Sequence, residues 1–173
     1  KGIPWIDASA RSHWDYLVTI AKESHEIGFD EINFDYIRFP SDGNMKDIYY
    51  PWSASQKKSE VMRSFFEYLS NELKPEGIVI SADLFGMTTT NTDDLNIGQV
   101  LEYALPYFDY ISPMVYPSHY PKGFLGCDDP NKRVYEVVFY SMKIAADRAV
   151  ASTTVVAMPG ARIGTSTPAV YSK

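Results

Sequence analysis

The sequence has a single cysteine, Cys127. With no second thiol an intramolecular disulfide is excluded, and so is a metal site built on cysteines. Such low cysteine usage fits a cytosolic protein and an exported bacterial one equally. The three histidines, His13, His25 and His119, are scattered and do not make a metal site. There is no Lys/Arg cluster and the net charge is −6, which argues against a surface that tracks nucleic-acid phosphates. No apolar run approaches the roughly 18 residues of a membrane span, and no signal peptide opens the chain. Neither a GxGxxG nor a GxxxxGKS/T phosphate loop is present, and there is no GxSxG elbow. The start KGIPWIDAS has no initiator Met and the end PAVYSK no clear stop. The chain reads as a piece of something larger, so targeting and membrane attachment are left to segments outside it.

What is present suits one globular domain. The 173 residues are 45% hydrophobic and 22% charged, enough to bury a real core. Aromatic residues reach 14%, with 13 Tyr, 9 Phe and 3 Trp. Tyr and Trp join an apolar body to a polar tip, which suits a sugar-binding cleft as well as a core.

Periodicity divides the chain into strand–loop–helix units. Trp14, Leu17, Val18, Ala21 and Ile27 recur at helical spacing over about 12–27, with Asp7 or Ser9 as the cap and Gly28 as the stop. A strand is expected over 29–37. A second helix follows over 55–73, with Val61, Phe65, Leu69 and Leu73 inward. The run IVISADLFG, 78–86, reads as a strand apolar on both faces until Asp83, the pattern of a strand covered on both sides. A helix over 97–105 and a strand over 108–116 come next, with a bulge or bend expected at Pro113. A further helix over 131–149 has Val134, Val137, Val138, Met142 and Ala145 inward. Residues 150–173 begin like a strand and become a Ser/Thr/Gly/Pro tail. Loops after strands are long and loops before strands are short. In parallel α/β folds ligands bind at the carboxyl ends of strands, which is where the long loops fall.

Asp35 and Asp83 lie late in consecutive strands. Neighbouring strands run about 4.8 Å apart, so two carboxylates at matching heights come within working distance. Glycoside hydrolysis needs such a pair, about 5–5.5 Å apart for retention and about 6.5–9.5 Å for inversion. Arg38 is close enough in sequence to pair with a carboxylate and keep it ionised. Tyr36, Tyr116, His119 and Tyr120 fall on the same rim. Each has a plainer reading: Asp35 as a turn cap or a partner of Arg38, Asp42 before Gly43 as a turn residue, Asp93-Asp94 as a helix start.

The stretches GFDEINFDYIRFPSDG (28–43), SADLFG (81–86) and YISPMVYPSHYPKGFLG (110–126), with the DPN and YEVV that follow, resemble a bacterial family described as a putative glycosyl hydrolase domain. The resemblance spans about residues 1–148. It implies a (β/α)8 TIM barrel with distant likeness to α-amylase-type enzymes. It also implies a secreted or membrane-anchored bacterial protein acting on polysaccharide, with Asp35 and Asp83 at strand ends and the Tyr116-to-Tyr120 loop beside them. No cofactor is implied. Family members continue into an Arg-Pro-Trp stretch and a final pair of strands. This chain lacks those and the first strands, so residues 1–149 are expected to form the middle of the barrel. Its open sheet edges would then self-associate or be covered by the tail. The resemblance leaves open which carboxylate is the acid, and whether the domain hydrolyses its polysaccharide or only binds polysaccharide or cell-wall material.

Overall fold

The computed structural model describes residues 5–53 and 55–155, with side chains described as far as Ser152. Helix α1 spans Arg11–Glu26 and is followed by strand β1, Glu31–Phe34. Helix α2 spans Lys58–Leu73, strand β2 Val79–Phe85, the single-turn helix α3 Leu101–Ala104, strand β3 Tyr110–Met114 and helix α4 Val134–Val155. The strands form a parallel sheet in the order β1-β2-β3. Consecutive parallel strands joined by helices are expected when right-handed crossovers lay each strand beside its predecessor.

The helices supply one core on one face of this sheet. Ile80, Ala82 and Leu84 of β2 are fully buried there, against Trp14, Val18 and Ala21 of α1 and Phe65, Phe66, Leu69 and Leu73 of α2. Leu101 and Ala104 of α3 complete the layer. The α2 stripe is the one its periodicity predicts. In α1 the burial is narrower: Ile27 lies past the helix and is 79% exposed. Gly28, at φ 110°, reverses the chain there, in a backbone region that glycine enters without a Cβ clash.

The other face differs from expectation. Strand β2 is not covered on both sides among the described residues. Val79, Asp83 and Phe85 are only half-buried, and their neighbours Glu31, Asn33, Tyr110 and Ser112 are exposed. In IVISADLFG the even-numbered residues Ile78, Ile80, Ala82 and Leu84 are all apolar and buried, whereas the other face mixes Val79 and Phe85 with Ser81 and Asp83. At Pro113 no bulge forms, since the register runs unbroken from Ser81↔Tyr110 to Phe85↔Met114. Strand β3 is the edge of the described sheet, where a missing N–H costs no ladder bond. The bend comes just after the strand, with Val115 N–H donating to the Pro113 carbonyl at 2.8 Å.

Two helices also depart from their predicted form. Leu95, Asn96 and Gly98 all have positive φ, so the helix expected from residue 97 shrinks to one turn. Helix α4 runs on to Val155, through the first residues of the segment read as a strand. Its inward side is Val137, Ser141, Ala145 and Arg148, whereas Val134, Val138 and Met142 are exposed. The rest of that strand-like segment, from residue 156, and its packing across a sheet edge lie outside the described residues.

The long loops join carboxyl ends of strands to the next helix, over 35–57, 86–100 and 115–133, and the return connections are short. Gly86 opens the second of these loops. A Cβ there would overlap the Met114 carbonyl and come within 2.8 Å of Val115 Cα. Its hydrogen side chain therefore lets the ends of β2 and β3 approach.

Candidate functional site: the carboxyl rim

The open face of the sheet is polar in a regular way because strand side chains alternate. It is formed by odd-numbered residues on the first two strands, Glu31 and Asn33 on β1 and Ser81, Asp83 and Phe85 on β2, and by their even-numbered register partners Tyr110 and Ser112 on β3. Asp83 sits opposite Ser112 in the register. Its Oδ1 accepts a hydrogen bond from Asn33 Nδ2 at 3.2 Å, and the same amide lies 3.0 Å from Ser81 Oγ. Asn33, two residues before Asp35, thus braces Asp83 across the strand pair.

The β1–β2 ladder ends at Phe34↔Ala82. Asp35 comes one residue past the last paired residue of β1. It is exposed, and its Oδ1 accepts from the Tyr36 N–H at 2.6 Å. Tyr36 has φ 56°, an uncommon conformation for an aromatic residue and one found often at functional sites. This turn lifts Tyr36 to 63% exposure at the rim.

Arg38 does not pair with Asp35. Among the described residues it makes no ion pair; it donates to the Phe39 carbonyl at 3.1 Å and Ser41 Oγ at 3.2 Å, with its guanidinium 4.9 Å from the Tyr36 ring centre. The positive φ at Tyr36 separates Asp35 from the residues that follow. Arg38 therefore braces the exposed Tyr36 ring.

On the other side of Asp83 the aromatic residues meet. His119 stacks on Phe85, with ring centres 5.9 Å apart, and meets Tyr116 edge-on at 5.3 Å. Both His119 and Tyr116 are exposed. Tyr120 is not part of this surface. It is 5% exposed, and its hydroxyl bonds to the Gly86 carbonyl at 3.1 Å and to Ser141 Oγ at 2.9 Å. A Tyr at the end of the SHY run is drawn inward because Ser141 on α4 gives its hydroxyl a buried partner. Exposed Tyr49 and Trp52 add aromatic surface to the 35–57 loop.

Three polar groups hold the rim loops, and of these the sequence marked only Asp7, as a helix cap. Asp7 is buried and caps no helix; Ala10 stands at the α1 N-terminus. Its carboxylate accepts from Ser9 N and Oγ, Trp52 N, and Ser53 N and Oγ, the last at 2.7 Å. Burial alone would raise its pKa, but the Ser53, Ser9 and Trp52 hydrogen bonds together hold it below the usual value. Arg148 on α4 forms a two-pronged pair with Glu102, at 2.7 and 2.6 Å, and donates to the carbonyls of Thr88, Thr89 and Asn91. Burial raises the Glu102 pKa and the Arg148 bond outweighs it, leaving that carboxyl below its ordinary value. The third group, Gln99, is 1% exposed. Its Nε2 donates to the Ile37 carbonyl at 3.1 Å and its Oε1 accepts from Phe85 N–H at 2.9 Å.

Sequence reasoning also passed over Asn33 and Phe85. Counting in twos from Asp35 and Asp83 finds both. No grouping of three His, Cys, Asp or Glu side chains that could hold a metal ion occurs among the described residues.

Comparison with known proteins adds one match. A family described as "Putative glycosyl hydrolase domain" matches residues 1–160. No curated protein and no solved structure matches the chain.

Proposed function

Since the chain belongs to the family of the "Putative glycosyl hydrolase domain", we propose that it is an arc of a (β/α)8 barrel that hydrolyses O-glycosidic bonds in a polysaccharide. The observation that carries this reading is the one-sided sheet. Its helices lie on one face, as on the outside of a barrel. Its other face bears Asp83, braced by Asn33, and Asp35 follows the last paired residue of the neighbouring strand. A doubly wound sheet would place helices on both faces.

In this reading one carboxyl group protonates the glycosidic oxygen as the bond to the anomeric carbon breaks. The other attacks that carbon, or takes a proton from the water that does. Asn33 orients Asp83 through its amide. Phe85, His119, Tyr116 and Tyr36 offer ring faces and polar edges to sugar rings. Arg38 serves by holding Tyr36. The chemistry requires no cofactor. A polysaccharide substrate suits a secreted or membrane-anchored protein, with any anchor supplied by segments beyond this chain.

A second reading, polysaccharide binding without hydrolysis, is favoured by one observation. Two surface concavities of the domain are lined by α4 residues Val134, Tyr135, Val138 and Phe139, and by α1–α2 residues such as Arg11 and Tyr68. Neither includes Asp35 or Asp83. The deciding experiment is a screen of the full-length protein against bacterial and plant polysaccharides, with Asp83→Asn and Asp35→Asn beside it. Hydrolysis should fall by roughly 10²-fold or more in each variant while polysaccharide is still retained. Retention by wild type without product release would establish the binding reading. Unchanged turnover in both variants would move the chemistry elsewhere.

A further inference from the structure

Gln99 lies outside every motif above, in the loop between β2 and α3, yet its side chain is fully enclosed. A buried amide is costly unless its donor and acceptor are both used. Here both are, and their partners stand in a symmetric relation to the rim. The Ile37 carbonyl belongs to the residue two past Asp35. The Phe85 N–H belongs to the residue two past Asp83.

The bonds matter because the ladder has ended. The last paired residues of β1 and β2 are Phe34 and Ala82, and the turn at Tyr36 carries the β1 chain out of strand geometry. Beyond that point no backbone pairing between β1 and β2 fixes their separation. Phe39 N–H donating to the Ile97 carbonyl at 2.8 Å brings the 93–99 loop against the end of β1. Gln99 then reaches across to β2. Each carboxylate thus sits between the end of the ladder and an atom held by one carboxamide.

We propose that Gln99 is a positioning residue that sets the separation of Asp35 and Asp83. The proposal rests on the reading of these two as the reacting pair. A change of even 1 Å in such a pair costs rate while leaving the sugar contacts in place.

The test uses the full-length protein with 13C-labelled aspartate and the variant Gln99→Met, which keeps the length and removes both bonds. Leu69→Ala, in the α2 core away from the rim, controls for lost stability. Gln99→Met should move the side-chain carboxyl signals of both Asp35 and Asp83, and Leu69→Ala should move neither. In hydrolysis, kcat should drop about tenfold or more with KM within about twofold. Should Gln99→Met fail to fold, Gln99→Glu keeps the acceptor for Phe85 N–H and loses the donor to Ile37. It should move the Asp35 signal more than that of Asp83. Carboxyl signals that stay in place in the folded variant would overturn the proposal and leave Gln99 a packing residue. If wild type hydrolyses no polysaccharide, the proposed activity falls, and the carboxyl signals alone still decide whether Gln99 positions the pair.

Discussion

The two faces of strand β2 differ residue by residue. Ile80, Ala82 and Leu84 are 0% exposed, whereas Asp83 and Phe85, one step away on the same strand, stay half open. The first set is enclosed by two helices. The second meets Asn33, Ser112 and the ring of His119. A substitution on the first face should therefore be read out in unfolding, and one on the second in chemistry. The open face still has structure of its own, since Ser81 is buried and Asn33 bridges two of its neighbours.

Phe66→Ala should separate the faces most sharply. Its ring is completely buried against Phe65 and Phe108, so truncation should cost about 3–5 kcal/mol, measured by urea unfolding. Activity should be lost only to the extent that the fold is. The opposite case is Asp83→Asn, which exchanges a carboxylate for an amide of the same shape. Unfolding should move by less than about 1 kcal/mol while hydrolysis falls. A large stability loss there would mean that the open face is a structural one.

The rim loops sharpen the comparison through pH. Asp7 has a folded pKa below its ordinary value of 3.8, so the unfolded chain takes up its proton first. The stability it contributes is fully present above about pH 5, and it is lost as pH falls through the ordinary value toward the folded one. Asp7→Asn should cost about 1–3 kcal/mol at neutral pH. The gap between variant and wild type should narrow in acid, which urea titrations at a series of pH values will follow. The smallest effect belongs to Tyr120→Phe. Loss of its hydroxyl should cost about 0.5–1.5 kcal/mol and leave polysaccharide retention unchanged, because this ring faces the core. A variant with intact stability and weakened retention would return Tyr120 to the ligand surface.

These contrasts show where local sequence carries information. The stripe Val61, Phe65, Leu69 and Leu73 was legible because α2 has one apolar side and one polar side. In α4 apolar residues lie nearly all round, so periodicity could not select a face. The structure chose the side where Ser141 meets Tyr120 and Arg148 reaches Glu102. Asp35 and Asp83 stood out as charges at the ends of apolar runs. Gln99 did not, because an amide in a loop looks like a solvent-facing group, and Asp7 stood out only as a helix cap, which it is not. Their partners lie 62 and 46 residues away, and that distance appears only when the chain is folded. The same holds for Arg38, whose neighbourhood in sequence to Asp35 was undone by a single positive φ.

The strand order carries a consequence for how the molecule is made. Each strand pairs with the strand that precedes it in the chain. During synthesis β2 therefore meets an edge already offered by β1, and β3 one offered by β2, so none of the described strands has to be threaded between two others. These three strands can assemble in the order in which they are made, and the growing edge is at each moment the surface most exposed to wrong pairing. Pro113, placed in the last described strand, removes one donor from β3 while that strand is the outermost. A strand with one donor fewer is a poorer template for wrong pairing while it waits at the edge.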